Sequence, residues 1–378
     1  MIEDKLSKSV LFGGYYGMDN VGDDCFGAIS TWGARKYWNT SRVLLLSTKE
    51  VKGPIRTNPC LKHKRFFRGQ TLCESFWRIL QSSCVIWSGG SIFHSEIPAY
   101  STKNISFITS TLGVTPAGAI GVSLGPYKTV ADQKAVHRYL RSLKFLTLRD
   151  KNSYEEARSI SLPFEPVLAA DLAMLLPILT ADVKFVQPEN KILGITVCHY
   201  EKYVNKERIN ETRREKILLN ALLDLVQNGF DGVFRFFVFN SNRINGDHDL
   251  TIKFYNKIKD RGAKVELVYY SPDPIDIWLS VAECSAMVST RLHGAIFAAA
   301  ANVPCILIEY HRKCTDFLND AGVANKWIIG DALCSSKVFS EKMSQLLNNC
   351  PTNFYPEREK LIKMAEKNFT FDGRAVCT

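Results

Sequence analysis

Short apolar runs alternate with longer amphipathic segments along the chain. Runs such as residues 85–87 and 286–289 have the length of buried strands, whereas segments such as residues 24–37 and 249–259 are long enough for helices. This alternation is typical of a parallel sheet with helices on its faces. It predicts an α/β fold, with strands at residues 10–12, 43–47, 85–87, 119–123, 145–148, 192–198, 233–239, 265–270, 286–289 and 304–309.

A polar stretch at residues 180–190, which contains Pro188, divides the pattern into two series. Because 378 residues exceed what one hydrophobic core usually holds, we expect two domains. The predicted fold is two Rossmann-like domains whose parallel sheets face each other across a cleft. The expected boundaries are residues 1–180 for an N-terminal domain, residues 181–350 for a C-terminal domain, and residues 351–378 for a C-terminal helix and tail.

The composition is that of a globular protein, with 46% hydrophobic and 23% charged residues. Lysine and arginine number 48 against 38 acidic residues, so the formal net charge is +10. Such a charge favours phosphates, acidic saccharides or an anionic membrane surface as partners. The sequence has no zinc-finger, RNP-like or leucine-zipper pattern, so we expect no specific binding of nucleic acid.

The eleven cysteines are spread singly along the chain, with no C-x-x-C pair. This spacing predicts free thiols in a reducing compartment, not a disulfide frame or a metal cluster. The N-terminus has acidic residues and no long apolar region, so we expect neither a signal peptide nor a membrane span. The predicted location is the cytoplasm, with peripheral contact at the inner membrane face left open.

One segment between residues 49 and 68 is strongly basic. No acidic residue falls between Glu50 and Glu74, and Phe66 and Phe67 lie among the basic residues. Such a segment could dock on anionic lipid or hold a lipid-linked diphosphate. The structural alternative is a solvated loop. The basic residues are Lys49, Lys52, Arg56, Lys62, Lys64, Arg65 and Arg68.

The most informative motif is Ser-Thr-Arg-Leu-His-Gly-Ala at residues 289–295. It lies between two apolar runs, so it predicts a strand end, a turn and the start of a buried helix. Arg291 and His293 would then lie at the carboxyl end of a strand, where open α/β sheets bind their ligands. A helix start also favours an anion. The structural alternative is an arginine that caps a carbonyl and a histidine in the core.

Two glycine-rich turns follow predicted strands. Residues 13–24 lack the dinucleotide spacing and a Walker lysine, so Asn20 and Asp23 either cap the next helix or bind sugar hydroxyls, with Tyr15 or Tyr16 stacking on a ring. Residues 87–93 contain a Gly-Gly-Ser turn whose backbone can hold an anion. Both turns also have a purely structural interpretation.

Two further cations follow predicted strands. Arg149 comes after the strand at residues 145–148, and a surface salt bridge is its structural alternative. Lys313 comes after the strand at residues 304–309, the next strand along the chain from the one that carries Arg291. We therefore expect Arg291, His293 and Lys313 at one edge of a sheet.

Together and in this order, these motifs resemble the polysaccharide pyruvyl transferase family. The resemblance covers about residue 13 to residue 313. It departs at Ser91, where the family often has a further glycine, and the basic segment near residues 62–68 has no counterpart; these differences leave the acceptor open. The resemblance is carried by Gly13-Gly14-Tyr15-Tyr16-Gly17, Asn20-Val21-Gly22-Asp23, Gly89-Gly90, Arg149-Asp150-Lys151-Asn152-Ser153-Tyr154, Ser289-Thr290-Arg291-Leu292-His293-Gly294, Pro304, Tyr310 and Lys313.

The resemblance implies a GT-B-like fold and transfer of the enolpyruvyl carbons of phosphoenolpyruvate onto two hydroxyls of a sugar. The product is a cyclic ketal, phosphate is released, and phosphoenolpyruvate is a co-substrate with no metal or other cofactor. Following the resemblance, His293 is the acid/base catalyst, since an imidazole titrates near neutrality. The proposed donor contacts are Arg291, Arg149, Lys313, Gly89, Gly90 and Ser91, and the proposed acceptor contacts are Tyr15, Tyr16, Asn20 and Asp23.

Three other interpretations stay open. A nucleotide-sugar glycosyltransferase would need a pocket for a base and ribose, often with a carboxylate after a strand of the C-terminal domain, a place that Glu309 could fill. A scaffold of a glycan assembly complex would need no catalysis. A cysteine nucleophile is disfavoured, because Cys284 and Cys305 lie in apolar runs without a charged neighbour to lower the thiol pKa.

Overall fold

The computed structural model describes residues 9–40, 42–53, 56–183, 188–199, 201, 209–244, 246–309, 311–330, 334–349 and 351–371. Within these ranges the chain forms two compact units. The first contains the described residues of 9–18, 23–175 and 361–371, and the second those of 19–22 and 176–360. Each unit contains one six-stranded parallel sheet flanked by helices.

The sheet of the first unit has the strand order β2-β1-β3-β4-β5-β6, and every neighbouring pair is parallel. Its central strands are apolar and buried on both faces, as expected of a sheet covered by helices. The strands are β1 (Ser9–Gly13), β2 (Val43–Leu45), β3 (Ser82–Ser88), β4 (Ala117–Val122), β5 (Leu146–Leu148) and β6 (Val167–Leu168); the helices are α1 (Val21–Trp38), α2 (Gln70–Leu80), α3 (Thr102–Thr111), α4 (Val130–Leu140) and α5 (Lys151–Ser159).

The sheet of the second unit has the order β12-β11-β10-β7-β8-β9, again with all pairs parallel. The strands are β7 (Ile192–Thr196), β8 (Val233–Phe237), β9 (Lys264–Val268), β10 (Ala286–Ser289), β11 (Cys305–Glu309) and β12 (Ile329–Gly330). The helices are α6 (Leu176–Leu179), α7 (Ile209–Gln227), α8 (His248–Lys259), α9 (Pro274–Ala282), α10 (Leu292–Ala300), α11 (Arg312–Asp320), α12 (Ser336–Asn348) and α13 (Arg358–Thr370).

The α/β prediction is confirmed, and each of the ten predicted strands is present within a few residues of its expected bounds. Aspartate side chains cap two of the helices. Asp150 accepts a hydrogen bond from the Ser153 backbone N–H at 2.8 Å at the start of α5, and Asp273 accepts one from Ile275 at 2.9 Å at the start of α9. The short edge strands β6 and β12 and the helices α2, α3, α6 and α11 were not predicted.

The last helix, α13, begins in the second unit and ends in the first. The indole N–H of Trp38 donates to the Phe369 carbonyl at 2.8 Å, and the Asn368 amide donates to the Ala170 carbonyl at 2.9 Å while its oxygen accepts from the Thr147 hydroxyl. The end of the described chain thus completes the core of the N-terminal sheet. No described helix is both long enough and apolar enough to cross a membrane.

Candidate functional site

The sheet of the second unit reverses its strand order between β7 and β10. From β7 the chain adds β8 and β9 on one side, and it then returns to place β10 and β11 on the other. Open α/β sheets bind ligands outside the carboxyl ends of the strands at such a point. The motif at residues 289–295 begins at the end of β10 and starts α10, so it occupies this position as predicted.

The serine and the glycine of this motif build its turn. The Ser289 hydroxyl lies 2.6 Å from the Thr196 hydroxyl at the end of β7, accepts from the Arg291 N–H at 3.0 Å and donates to the Arg291 carbonyl at 2.6 Å. A Cβ atom on Gly294 would lie 2.5 Å from the Ser289 oxygen, so only glycine fits there. These contacts fix the turn between β10 and α10, and they thereby position Arg291 and His293.

A buried carboxylate holds Arg291. The Arg291 Nε donates to Oδ2 of Asp247 at 2.6 Å, and the other oxygen of Asp247 accepts from the Asn240 N–H at 2.8 Å. Asp247 is fully buried, and this burial raises the pKa of its carboxyl although the charge of Arg291 acts to lower it. Arg291 is therefore anchored through an ion pair that the sequence analysis did not predict.

His293 is the second residue of α10 and packs against the backbone of Gly22. A Cβ atom on Gly22 would lie 2.3 Å from Nδ1 and 2.5 Å from Cγ of the imidazole. No side chain larger than hydrogen is compatible with this approach. Glycine is therefore required at this position of the Asn-Val-Gly-Asp motif, because it leaves room for the imidazole of the predicted catalytic residue.

The segment that carries Gly22 is hydrogen-bonded to the loop after β8. The Val21 N–H donates to the Phe239 carbonyl at 2.9 Å, and Asn20 forms an antiparallel bridge with Asn240. The Asn20 side-chain oxygen accepts from the Gly22 N–H at 3.2 Å in the first turn of α1. Asn20 therefore belongs to the second unit, and its role as an acceptor contact stays a prediction.

Lys313 lies at the start of α11, which follows β11. Because β11 pairs with β10 in parallel, α10 and α11 begin at neighbouring strand ends, as expected for His293 and Lys313. His311 caps α11 by accepting from the Lys313 N–H at 3.1 Å on Nδ1. Tyr310, the residue between β11 and this cap, lies outside the described residues.

In the first unit the strand order reverses between β1 and β3, and both glycine turns follow these two strands. Gly89 and Gly90 have φ angles of 70° and 73°, in the left-handed region that favours glycine. A Cβ atom on Gly89 would lie 2.2 Å from Cγ of Phe26 in α1, and one on Gly90 would lie 3.7 Å from an Asp23 oxygen. The turn at residues 89–90 thus packs under α1, and Asp23 lies beside it.

The two tyrosines of the first turn differ. Tyr16 is buried, its ring lies against Gly14 and Gly27, and its hydroxyl donates to the Gly13 carbonyl at 3.1 Å and contacts Ser88. These contacts give Tyr16 a structural role. Tyr15 is 41% exposed, and partial burial together with the charge of Asp23 raises the pKa of its phenol. Tyr15 thus keeps an exposed surface.

Arg149 follows β5 and makes an ion pair with Asp171 at 2.6 Å. Its Nε donates to the Ser123 hydroxyl at 2.7 Å, and a terminal nitrogen lies 3.4 Å from the Ser91 hydroxyl. The structural alternative of a surface salt bridge is wrong in one respect, because both partners of the ion pair are buried. Arg149 therefore links the ends of β4 and β5 with the glycine turn after β3.

The sequence analysis missed the two aspartates that hold these arginines. Asp171 stands alone in an apolar stretch after β6, a position that could have drawn attention to it. Asp247 lies in a polar stretch, where an acidic residue is unremarkable in a sequence. Its burial depends on the loop after β8, which no local pattern reveals.

A family model for polysaccharide pyruvyl transferases matches residues 24–312 of this chain. The chain belongs to the polysaccharide pyruvyl transferase family. The match contains Arg149, Arg291, His293 and the turn at residues 89–91. It excludes Tyr15, Tyr16, Asn20, Asp23 and Lys313.

One curated relative is similar to this chain in sequence, and several solved structures are similar to it in fold. The amylovoran biosynthesis protein AmsJ of Erwinia amylovora is 21% identical over 301 residues, which cover 76% of this chain and 70% of AmsJ. The UDP-GlcNAc 2-epimerase of Methanocaldococcus jannaschii aligns with a TM-score of 0.59 and 9% identity, over 98% of this chain and 97% of its own. That of Neisseria meningitidis, bound to UDP-GlcNAc, aligns with a TM-score of 0.58 and 12% identity, over 97% of each chain. These likenesses confirm the GT-B-like fold of this pyruvyl transferase.

In the described part of this pyruvyl transferase, three side chains with metal-ligating atoms come together in the second unit. The Nδ1 of His199 lies 3.2 Å from a Glu211 oxygen and 2.9 Å from a Glu215 oxygen, and Lys253 lies 3.5 Å from Glu215. Burial acts to raise the pKa of Glu215, but the hydrogen bond and charge of His199 lower it on balance. Because basic side chains already contact these carboxylates, we assign no metal to the group.

Proposed function

We propose that this pyruvyl transferase moves the enolpyruvyl group of phosphoenolpyruvate onto two hydroxyls of a sugar in a cell-surface polysaccharide precursor. One hydroxyl adds to C2 as a proton reaches the methylene carbon, and the second hydroxyl then displaces phosphate to close a cyclic ketal. The observation that carries the proposal is the placement of Arg291 and His293 at a helix start where the sheet order reverses. The similarity to a protein of amylovoran biosynthesis supports a role in exopolysaccharide synthesis.

His293 is the proposed acid/base catalyst. An imidazole at this place can give a proton to the methylene carbon and accept protons from the attacking hydroxyls in turn. A thiol is a poor alternative nucleophile, because burial raises the pKa of Cys284 to about 12 and also raises that of Cys305. We therefore assign the proton transfers to His293.

Cations and helix starts supply the proposed donor site. Phosphoenolpyruvate carries a carboxylate and a phosphate, which suit the fork of Arg291, the ammonium of Lys313 and the partial positive charge at the starts of α10 and α11. Both arginines are paired with an aspartate, but Arg149 in the first unit is more enclosed than Arg291 and also contacts the Ser91 hydroxyl. We therefore propose that Arg149 positions Ser91 and the backbone of Gly89 and Gly90, which contact the donor.

The acceptor contacts that we propose are Tyr15, Asn20 and Asp23. Tyr15 and Asp23 lie close enough for the charge of Asp23 to affect the phenol. Their aromatic and carboxylate groups suit a sugar ring and its hydroxyls. We propose that the reaction takes place in the cytoplasm, where phosphoenolpyruvate is made.

The test is phosphate release from phosphoenolpyruvate with a panel of saccharide acceptors, together with the mass of the product. His293→Gln keeps the size of the side chain but cannot exchange protons, so we expect kcat to fall by about 10²-fold or more. His248→Gln is the matched control, because His248 is a half-exposed histidine of the same unit. Full activity of His293→Gln would overturn the catalytic assignment, and inactivity of the wild type with every acceptor would favour the scaffold.

A nucleotide-sugar glycosyltransferase is the second candidate, and Glu309 is the observation that favours it. This residue ends β11, and one of its carboxylate oxygens is buried with no hydrogen-bond partner among the described residues. A buried carboxylate at this place could accept from a sugar hydroxyl. Thermal unfolding distinguishes the candidates: a donor at about 100 times its Kd stabilises by about 2.7 kcal/mol, so phosphoenolpyruvate should raise Tm where UDP- and GDP-sugars do not.

A further inference from the structure

Helix α2 has an apolar stripe that faces outward. Cys73, Phe76, Trp77 and Leu80 follow one another at spacings of three, one and three residues, which places them on one helical face. All four are exposed, and Trp77 is 59% exposed. The buried positions of the same helix are Gln70, Ser75 and Ile79. A surface helix of a globular protein normally has the opposite arrangement, with its apolar stripe toward the core.

The basic segment folds back along this helix. The Phe66 N–H donates to the Gln70 side chain at 2.7 Å, the Lys62 N–H donates to Glu74 at 3.0 Å, and Arg78 reaches the Cys60 carbonyl at 3.4 Å. Residues 60–66 therefore run antiparallel to α2 and are held on it. Phe66, which is 79% exposed, and the exposed Phe67 lie beside the first turn of the helix.

The charge of this segment is almost entirely positive. Residues 62–68 are all exposed, and they include four lysine or arginine side chains. The nearest acid in the sequence is Glu74, whose oxygens accept from the Lys62 backbone and the Gln70 amide. A cationic loop and an outward apolar stripe therefore lie next to each other on the first unit.

The apolar surface extends toward α3. Leu112 and Val114 are exposed directly after this helix, and the Thr115 hydroxyl donates to the Ile79 carbonyl in the last turn of α2 at 3.1 Å. The exposed pair is thus tied to the end of the helix that carries Leu80. Scattered apolar residues are normal on a surface, but a contiguous group indicates an interaction site.

We propose that residues 62–68 and the outward stripe of α2, together called the docking surface, bind a bilayer that contains anionic lipid. Lysine and arginine near such a bilayer are attracted to its negative surface potential. Phenylalanine, tryptophan and leucine enter the boundary between headgroups and acyl chains. An acidic polysaccharide would satisfy the charges and could stack on an aromatic ring, but it offers no apolar layer for the exposed Leu80, Leu112 and Val114. The combination therefore favours lipid, and it does not depend on the pyruvyl transfer proposed above.

Flotation of the full chain with vesicles tests the proposal. We expect binding to vesicles of phosphatidylcholine mixed with phosphatidylglycerol, and much weaker binding to phosphatidylcholine alone. Two variants remove separate parts of the docking surface. The basic variant lacks the four lysine and arginine side chains of residues 62–68, and the aromatic variant lacks Phe76 and Trp77. Each basic side chain contributes about fivefold to the partition coefficient between vesicles and water. The basic variant should therefore lower this coefficient on the order of 100-fold or more, and the aromatic variant should lower it on the order of tenfold. The variants are Lys62→Gln/Lys64→Gln/Arg65→Gln/Arg68→Gln and Phe76→Ser/Trp77→Ser.

Matched controls remove the same kinds of side chain elsewhere. Ile244 and Tyr269 are exposed apolar residues of the second unit, and four exposed lysines lie outside the docking surface. Neither control variant should change binding by more than about twofold, because each leaves the side chains of the docking surface intact and isolated surface charges are screened by salt. The controls are Ile244→Ser/Tyr269→Ser and Lys257→Gln/Lys264→Gln/Lys337→Gln/Lys367→Gln.

Several results would overturn the proposal. One is equal loss of binding in the variants and their controls, and another is no flotation of the wild type with anionic vesicles. A concentration-dependent dimer in sedimentation equilibrium that Phe76→Ser/Trp77→Ser abolishes would show an interface between two copies. Tight binding of an acidic polysaccharide that ignores the aromatic pair would show an electrostatic site for polymers. In support, vesicles should shift tryptophan emission to the blue, and Trp77→Phe should remove most of that shift.

Discussion

In each unit of the protein, an arginine at the carboxyl edge of the sheet makes an ion pair at 2.6 Å with a buried aspartate: Arg149 with Asp171 and Arg291 with Asp247. The two pairs differ in what surrounds them. The guanidinium of Arg149 contacts two hydroxyls as well as Asp171, and it lies 6.0 Å from the ring of Phe26. Arg291 instead precedes the helix that carries His293. The first pair therefore connects loops of its unit, whereas the second lies next to the proposed catalyst.

The burial of the two pairs also differs. The side chain of Arg149 is 7% exposed and that of Arg291 is 15% exposed, whereas Asp247 is the more deeply buried aspartate. An arginine that keeps some exposure while its partner is enclosed can meet a ligand and stay oriented. The comparison indicates that the same residue type, at equivalent places in two sheets, connects loops in one unit and keeps an exposed surface beside the proposed catalyst in the other.

The largest effect that we expect is from removing each arginine. Arg291→Met leaves the buried Asp247 carboxylate without its charge partner, which should lower the free energy of unfolding by about 3–5 kcal/mol. Arg149→Met should have an effect at the lower end of that range, because the Asp171 side chain keeps some contact with solvent whereas that of Asp247 is fully buried. Urea titrations followed by circular dichroism measure both changes.

A second substitution shows whether the unpaired carboxylate is the cause. Arg291→Met/Asp247→Leu removes both charges, so it should recover most of the lost stability but none of the phosphate release. If Arg291→Met and Arg291→Met/Asp247→Leu had equal stability, Arg291 would stabilise the second unit through packing alone.

The sequence was sufficient to predict the places of the two arginines but not their partners. Strand runs and the turns after them are local patterns, so Arg149 and Arg291 could be placed at strand ends. Asp171 and Asp247 lie 22 and 44 residues away from their arginines in the chain. No periodicity links residues so far apart, because only the folded loops bring them together.

Other differences have similar causes. The predicted boundaries put residues 19–22 in the N-terminal domain. Backbone hydrogen bonds to Phe239 and Ser241 instead attach these residues to the second unit. Helix α2 was not predicted, and residues 49–68 were described only as a basic segment. The stripe of α2 has helical spacing, but its direction depends on the packing of Ser75 and Ile79, which the sequence alone does not reveal.

The next effect in size concerns the space around His293. Gly22→Ala would place a methyl group 2.3 Å from the imidazole, so the ring must move. Such overpacking costs about 1–3 kcal/mol of stability, and displacement of a catalytic group by about 1 Å can cost about 10²-fold in rate. Phosphate release and urea titration measure the two quantities separately.

Gly33→Ala is the matched control in the same helix. Its methyl group would lie 2.3 Å from the ring of Phe369, within the first unit. We expect a similar loss of stability but a kcat within about twofold of the wild type, since surface and core changes far from a site usually act independently. If both variants lose the same activity, the close approach of Gly22 has no special connection with catalysis.

The smallest effect that we expect is a pH dependence that distinguishes the pair in the second unit. Burial raises the pKa of Asp247 in the folded protein, although Arg291 acts against it. The folded state then binds the proton more tightly than the unfolded chain does, whose aspartate titrates at about 3.9. The stability that Asp247 contributes is therefore fully present below that value, and it is lost as the pH rises through the folded-state pKa.

Asp247→Asn removes this titration, so the free energy of unfolding of the wild type should fall relative to that of the variant across this window and stay level above it. Parallel curves for the two proteins in urea titrations at several pH values would show that the carboxyl is ionised as easily as in water, and that Arg291, not burial, dominates its environment.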